Sequence, residues 1–181
     1  MKYCSQCRAE VSYEIPEGDS RHRHICQHCD IIFYSNPRIV AGTLPVFDGQ
    51  ILLCKRAISP RKGYWTLPAG FMENGESTEQ AALRETWEEA EAKPELGQLF
   101  SMITVPHIDQ VHLFFLATLP TPSFSAGPES LEVALFHPED IPWDEIAFPT
   151  VSETLQRFID QRTGPHVFDI RPEQALRAGD D

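Results

Sequence analysis

From Asn36-Pro37 onward the chain settles into alternating apolar and polar stretches with clear breaks between them. Arg38–Val46 reads as a strand, Asp48-Gly49 as a hairpin turn and Gln50–Arg56 as the partner strand. A polar loop, 59–63, holds Pro60; it leads to a short extended stretch, 64–69, with Trp65 and Leu67 apolar, and then to a glycine-containing loop over 70–76. Ser77 suits an N-cap, with Glu79 and Gln80 in the first turn, so a helix is predicted from Thr78 to about Glu91, ending before Pro94. Leu83, Trp87 and Ala90 recur at i, i+4 and i+7, which predicts them as its buried face. Two further strands are expected over 99–105 and 111–119, a Pro/Ser-rich loop over 120–128, a strand over 131–136 and a turn region over 138–143. A second helix is predicted over 150–161 with Val151, Leu155, Phe158 and Ile159 on one face. Little periodicity follows Arg162, and no internal repeat is present. Strands and helices in this mixed order predict an α+β or α/β sandwich.

The 181 residues make one domain with a small appendage, and 41% hydrophobic with 23% charged residues is an ordinary globular composition. No apolar run approaches the ~20 residues of a membrane span. The opening MKYCSQCRAE lacks the apolar stretch of a secretory signal, so a cytoplasmic location is expected. A net charge of −12 argues against binding nucleic acid or an anionic membrane surface, both of which need Lys and Arg facing phosphate. An acidic protein can still hold an anionic small molecule when divalent cations stand between them.

Four of the five cysteines form two Cys-x-x-Cys pairs, Cys4/Cys7 and Cys26/Cys29, with 18 residues between them. That spacing fits a zinc ribbon: Zn²⁺ takes four thiolates in a tetrahedron, and two intervening residues let one turn aim both sulfurs at one point. Two disulfides would use the same residues, but the absence of an export signal places the chain in a reducing compartment. His22, His24 and His28 are then bystanders, and Cys54, in an apolar run, is a core thiol. Residues 1–30 carry four cationic and five acidic side chains, a net of −1, which favours a structural staple over a nucleic-acid reader.

Residues 70–92 hold seven glutamates among 23 residues, with Arg84 as the one offsetting cation. Glu85, Glu88 and Glu89 stand at i, i+3 and i+4, so their carboxylates share one helical face and repel unless something positive sits among them. On the predicted orientation they lie opposite Leu83, Trp87 and Ala90, so packing does not require them. Clustered oxygen ligands on a rigid helix suit Mg²⁺ or Mn²⁺, and Gly70 can offer its carbonyl to the same ion. Arg84 is placed to pair with Glu76 across the loop or with Glu88 one turn on, holding loop to helix.

Gly70, Glu76, Arg84, Glu85, Glu88 and Glu89 match in register the Nudix box, G-x5-E-x7-R-E-U-x-E-E-x-G-U with U a bulky apolar residue, and the chain thus resembles the Nudix hydrolases. Thr86 stands where an aliphatic is usual, Ala92 is small for the last U, and Glu91 replaces a glycine that lets the helix end in a left-handed turn, a loss of about 1 kcal/mol or a shift of the helix end. The segment 64–70, YWTLPAG, is similar to the family's W-x-L-P-G-G, and GPESLE with a later Ile141-Pro142 is similar to its acidic loop and late turn. A zinc ribbon ahead of such a domain is similar to bacterial and plant enzymes assigned as FAD or ADP-ribose pyrophosphatases. The resemblance implies an α/β/α sandwich around a mixed sheet, with a ribbon over 1–35, the Nudix domain over 36–162 and a C-terminal tail over 163–181. It implies hydrolysis of a pyrophosphate linked to another group by a metal-activated water. Glu85, Glu88, Glu89 and the Gly70 carbonyl would be the Mg²⁺ or Mn²⁺ ligands, and Glu76 and Arg84 the scaffold. The general base would come from the box itself or from a later loop, where Glu129 and Glu132 are the candidates.

The implied substrate is a small nucleotide, FAD or ADP-ribose, and the implied assembly a homodimer. NADH pyrophosphatases also join a ribbon to this box but carry a Ser-Gln-Pro-Trp-Pro-Phe-Pro array; residues 101–107 here read SMITVPH and lack it. Phe71, Phe100, Phe114 and Phe115 are the candidates for stacking on a base. Two other classes stand beside the enzyme: a nucleotide sensor that does not cleave, against which the intact glutamate cluster counts, and a ribbon that recruits RNA or protein. Both predict no turnover with Mg²⁺.

Overall fold

The computed structural model describes residues 1–161 and 163–174, which form two compact units, Met1–Asn36 and Pro37–Asp181. In the first unit, β1 (Val11–Glu14), β2 (Arg23–Cys26) and β3 (Ile32–Phe33) make a small antiparallel sheet in that order. Its two Cys-x-x-Cys turns are built alike. Cys4 N–H donates to the Ala9 carbonyl and Cys26 N–H to that of Ile31, each five residues on. Each turn closes through a left-handed residue directly after its second cysteine, Arg8 (φ 64°) and Asp30 (φ 55°). His22 and His24 pack on the Tyr13 ring, away from the sulfurs' own contacts.

The second unit is a mixed sheet with a helix on each face. Its strands are β4 (Arg38–Phe47), β5 (Gln50–Arg56), β6 (Trp65–Thr66), β7 (Ala69–Phe71), β8 (Glu95–Val105), β9 (Gln110–Thr118), β10 (Ser130–Phe136) and β11 (His166–Asp169). The order is β10-β5-β4-β9-β8-β11, with β6 beside β5 and β7 beside β4. β4/β9 and β8/β11 are parallel and the remaining pairs antiparallel. Asp48 and Gly49 both take positive φ, the tight turn that joins β4 to β5 with the twist a hairpin needs.

The unbroken run 51–54 in β5 is explained by covering on both faces. Ile51 and Leu53 join the larger core with Leu44, Phe100, Ile103 and Phe114; Leu52 and Cys54 join a smaller core with Ala90 and Leu119. The helix α2 (Pro149–Gln161) sinks Val151 and Leu155 into the larger core, with Phe158 and Ile159 packed against it, as the spacing predicts. On the opposite face lies α1 (Thr78–Ala90), capped by Ser77 and Gln80 in a reciprocal capping box.

The buried face of α1 corrects the sequence reading. It consists of Ala81, Ala82, Thr86, Glu89 and Ala90, while Leu83 and Trp87 are exposed. Small side chains let the helix lie close on β4, and Thr86 fits there because its hydroxyl bonds both Thr43 (2.6 Å) and the Ala82 carbonyl (2.7 Å). The carboxylate-bearing face is therefore not opposite the packing face; Glu89 belongs to it. A second correction concerns the C-terminus: residues 166–169 form β11 on the sheet edge and Ile170 is buried, so this stretch is no tail. Residues 175–181 lie outside the described ones. Among the described residues no helix is long and apolar enough to cross a membrane.

Candidate active site

The site begins where β7 leaves the sheet. Gly70 is required there by proximity: a Cβ on it would lie 2.3 Å from the Glu85 carboxylate. The backbone of β7 thus passes close against the carboxylate of Glu85. The loop 72–77 then folds back into α1 and is held by Glu76, which accepts the Glu73 N–H (3.0 Å).

Arg84 is the hub. Its Nε and Nη2 donate to Glu76 (2.6 and 3.0 Å), and Nη1 donates to Glu85 (2.6 Å) and Glu88 (3.0 Å). A further bond from Nη2 reaches the Phe71 carbonyl (3.1 Å). Arg84 therefore makes both of the pairings expected of it, and ties β7, the loop and the helix into one piece. The guanidinium holds Glu76 down at about 2 and is itself held firmly protonated, Glu76 being the main cause.

The three helical carboxylates sit in graded surroundings. Glu88 is half-exposed, Glu85 is mostly covered, and Glu89 is buried with its carboxylate accepting the Ala69 N–H (3.1 Å). Burial pushes Glu89 up to about 8 against the pull of that hydrogen bond, with Glu85 adding to the rise. Glu85 is raised by the same cause, opposed by Arg84. Anionic oxygens on a helix face, one deeply buried and one against a bare glycine backbone, suit a hard divalent cation: the ion would offset the burial of charge that water cannot reach.

The loop over 120–129 brings the next component. Helices end with carbonyls that lack partners. Here Ser125 N–H donates to Ala90 (2.9 Å) and Gly127 N–H to Glu89 (3.1 Å), while the Ser125 hydroxyl bonds the Glu91 carboxylate. Glu91 itself takes the left-handed C-cap conformation (φ 47°), so the helix ends where the missing glycine would have ended it. Gly127 is again a matter of proximity, since a Cβ would collide with the Glu88 carbonyl at 1.8 Å. Docked this way, the loop delivers Glu129 into a cleft of about 290 Å³ together with Glu85, Trp87, Glu88, Glu89, Glu91 and Pro128. Glu132 is not brought there; it pairs with Lys55 along β10 beyond a register shift.

Arg56 is the component that sequence reasoning missed. It is half-buried at the end of β5, its Nε bound to the Pro60 carbonyl (2.8 Å) and its guanidinium 5.0 Å from the Phe148 ring centre. Burial lowers its pKa, and the charges of Glu89 and Glu129 act against that fall. The signal was available: Lys55, Arg56, Arg61 and Lys62 put four of the chain's 15 Lys and Arg into eight residues of an otherwise acidic protein. Of the four phenylalanines considered for stacking, Phe100, Phe114 and Phe115 are buried in the core, while Phe71 is exposed with the Arg38 guanidinium 4.6 Å from its ring centre.

In the N-terminal unit the sulfurs of Cys4, Cys7, Cys26 and Cys29 all lie within 4.8 Å of one another. Cys4 and Cys29 are 3.7 Å apart and Cys7 and Cys26 3.4 Å. Tetrahedral Zn–S bonds of about 2.3 Å require sulfur separations near 3.8 Å, so the donor set fits zinc.

Comparison with known proteins agrees with this geometry. The NUDIX domain family matches residues 36–158, and the family described as Nudix N-terminal, a zinc ribbon, matches residues 2–35. A crystal structure of a NUDIX hydrolase from Nitrosomonas europaea superposes with a TM-score of 0.91 at 47% identity, covering 94% of this chain and 99% of that one. An ADP-ribose pyrophosphatase of Methanocaldococcus jannaschii is 30% identical over 113 residues, 60% of this chain and 67% of the relative. A NAD-capped RNA hydrolase of Photorhabdus laumondii is 28% identical over 144 residues, 78% of this chain; the chain spans about half the length of that relative, 53%. The ribbon, the box in register and the helix that carries it place the chain in one family: it is a Nudix hydrolase with an N-terminal zinc ribbon.

Proposed function

We propose that the protein hydrolyses the diphosphate bond of an adenine dinucleotide-type substrate, FAD to FMN and AMP or ADP-ribose to AMP and ribose 5-phosphate. The observation that carries this is the cleft in which Glu85, Glu88, Glu89 and Glu129 converge beside the bare backbone of Gly70. The name of the Methanocaldococcus relative supports an ADP-ribose-type substrate, and those of the NAD-capped RNA hydrolases support a dinucleotide end.

Glu85, Glu88, Glu89 and the Gly70 carbonyl would hold Mg²⁺ or Mn²⁺, which supplies Lewis-acid activation of water and offsets the charge of the diphosphate. Glu129 accepts a proton from the attacking water, being the loop acid that reaches the cleft. The water oxygen forms a new bond to one phosphorus, the bridging P–O bond breaks, and the bridging oxygen leaves on the other phosphate, so both products are phosphomonoesters. Arg56, a half-buried cation whose charge is felt by Glu89 and Glu129, binds a phosphate oxygen and stabilises charge on the departing group. Arg84 and Glu76 position the carboxylates without touching substrate. Phe71, with Arg38 behind it, provides the face on which the adenine stacks. The four cysteines would hold one zinc ion that staples a segment too small to fold alone.

The test is product analysis with Mg²⁺ or Mn²⁺ on FAD, ADP-ribose, NADH and a nucleoside triphosphate, with Glu88→Gln alongside. The expected result is AMP plus the second monophosphate from a dinucleotide, with kcat lower in the variant by on the order of a thousandfold. Turnover of the triphosphate alone, or equal turnover by Glu88→Gln, would overturn the assignment.

A further inference from the structure

The helix that carries the carboxylates also turns a tryptophan outward. Trp87 is 46% exposed in the last turn of a thirteen-residue helix whose inner face is filled by Ala81, Ala82, Thr86, Glu89 and Ala90. An indole left in water over so much of its surface forgoes the burial such a side chain normally gains. Its position is not random: Trp87 is a wall of the same cleft as Glu85, Glu88, Glu89 and Glu129, with Pro128 as the other apolar wall. Lys93, just beyond the helix end, sets its ammonium 4.6 Å from the ring centre. That contact holds the indole in place and occupies part of one face, leaving the rest of the ring to the cleft.

Phe71 is not among the walls of this cleft, yet its carbonyl and the Glu88 carboxylate are bonded to the same arginine. Arg84 thus ties the backbone of Phe71, on the strand before it, to the helix that bears Trp87, and both aromatic rings are exposed. The cleft volume of about 290 Å³ lies at the small end of the range for whole ligand sites, roughly 300–1,000 Å³, and so suits half of a dinucleotide.

We propose that Trp87, backed by Lys93, is the platform for the second ring system of the substrate, the one across the diphosphate from the adenine. This rests on the diphosphatase reading above and deepens it. The preferred substrates are then dinucleotides with an aromatic ring on both halves, such as a flavin or a nicotinamide, over ADP-ribose, whose second half ends in a bare sugar. Stacking of one ring on an aromatic side chain contributes about 1–3 kcal/mol, and 1.4 kcal/mol is tenfold in binding. That is the whole difference the platform makes between the two substrate classes.

The experiment is steady-state kinetics of the full chain with Mg²⁺ on FAD, NADH and ADP-ribose, comparing wild type with Trp87→Ala and Trp87→Phe. Trp87→Ala is expected to raise KM for FAD about tenfold more than KM for ADP-ribose, with kcat for FAD changed far less than KM, and Trp87→Phe to recover most of the loss. ADP-ribose turnover by the same preparation reports that α1 and its carboxylates are intact. Equal losses on FAD and ADP-ribose, or an unchanged FAD KM in Trp87→Ala, would overturn the platform while leaving the diphosphatase reading standing. Failure of that reading shows earlier and separately, as a wild-type enzyme that cleaves none of the three.

Discussion

In the N-terminal ribbon four sulfurs already converge, two of them buried, each pair delivered by a short turn with its own backbone hydrogen bond. In the catalytic cleft the acids are arranged differently. Glu85 and Glu88 are drawn to Arg84, Glu89 is buried against β7, and Glu129 arrives from a separate loop. Four thiolates so arranged would enclose a zinc ion and leave no position for a substrate, which is what a structural site requires. The second is open on one side and keeps its carboxylates apart by placing a cation among them. On the proposed function the cleft would have to admit a diphosphate as well as metal, could not be closed by its own ligands, and would take its order from outside the ligand set. Arg84, the Gly70 backbone and the 120–129 loop supply it.

The contrast is tested most severely at the ribbon. Cys26→Ser removes a buried ligand from a closed tetrahedron. Zinc content is expected to fall from about one equivalent to near zero, and the three short strands β1–β3 to lose their amide protection, since so small a sheet has little core of its own. The residues of 37–174, which own a separate core, should keep a cooperative thermal transition. Retained zinc, read by elemental analysis of the purified variant, would sink the idea that the four cysteines are one site.

The matching change in the cleft is smaller because it touches no ligand. Arg84→Gln removes the charge that sits between Glu85 and Glu88 and frees Glu76 and the loop. Groups that orient metal ligands typically contribute 10–100-fold. An increase of about that size is expected in the Mn²⁺ concentration giving half-maximal activity, with a smaller loss at saturating metal. A loss confined to kcat at all metal concentrations would instead put Arg84 on the substrate.

Glu89 divides the two designs again, through stability. Its carboxyl is buried and pushed up to about 8, so without a cation it costs the fold more than a neutral side chain would. Glu89→Gln in excess chelator is therefore expected to raise Tm by several degrees, on the scale of 2–4 °C per kcal/mol for a chain of this size, while lowering activity with Mg²⁺. The glutamine carbonyl can still accept the Ala69 N–H, so a lower Tm would overturn the cost assigned to burying this carboxyl.

How much of this was legible in the sequence depended on what each residue packs against. The face of α2 was readable because large apolar side chains, Val151 and Leu155, fill the gap to the sheet. The face of α1 was misread for the converse reason: alanines and a hydrogen-bonded threonine allow close approach, and the large residues Leu83 and Trp87 were free to turn outward. The box itself was legible because its spacing is local, within one loop and one helix. That Glu129 and not Glu132 lines the cleft was not, since it depends on a register shift in β10 and on how the loop caps α1. Arg56 carried only a coarse signal, the cluster of cations over 55–62; which of the four is half-buried at the end of β5 depends on the fold. β11 gave no periodic signal because it is a four-residue edge strand whose partner lies more than sixty residues earlier.

The mildest perturbation is acid. Glu76 is held at about 2, against 4.5 for the free side chain, chiefly by its bonds to Arg84. A carboxyl depressed in the folded state contributes stability that is fully present above pH 4.5 and is lost as pH falls toward 2, because only the unfolded chain takes up the proton over that window. Glu76 is exposed enough that solvent screens much of the pairing, so the effect is local, a loosening of the loop over 72–77 ahead of the rest of the sheet. Amide exchange at Glu73, whose N–H bonds the Glu76 carboxylate, should therefore accelerate relative to the core amides of β4 between pH 4.5 and pH 2.5, once corrected for intrinsic rates. Glu76→Gln should show the faster exchange already at neutral pH and lose the pH dependence. If the loop and β4 instead lose protection together in the wild type, the Arg84 hub is part of the global fold, and the catalytic site would be as closed a structure as the ribbon.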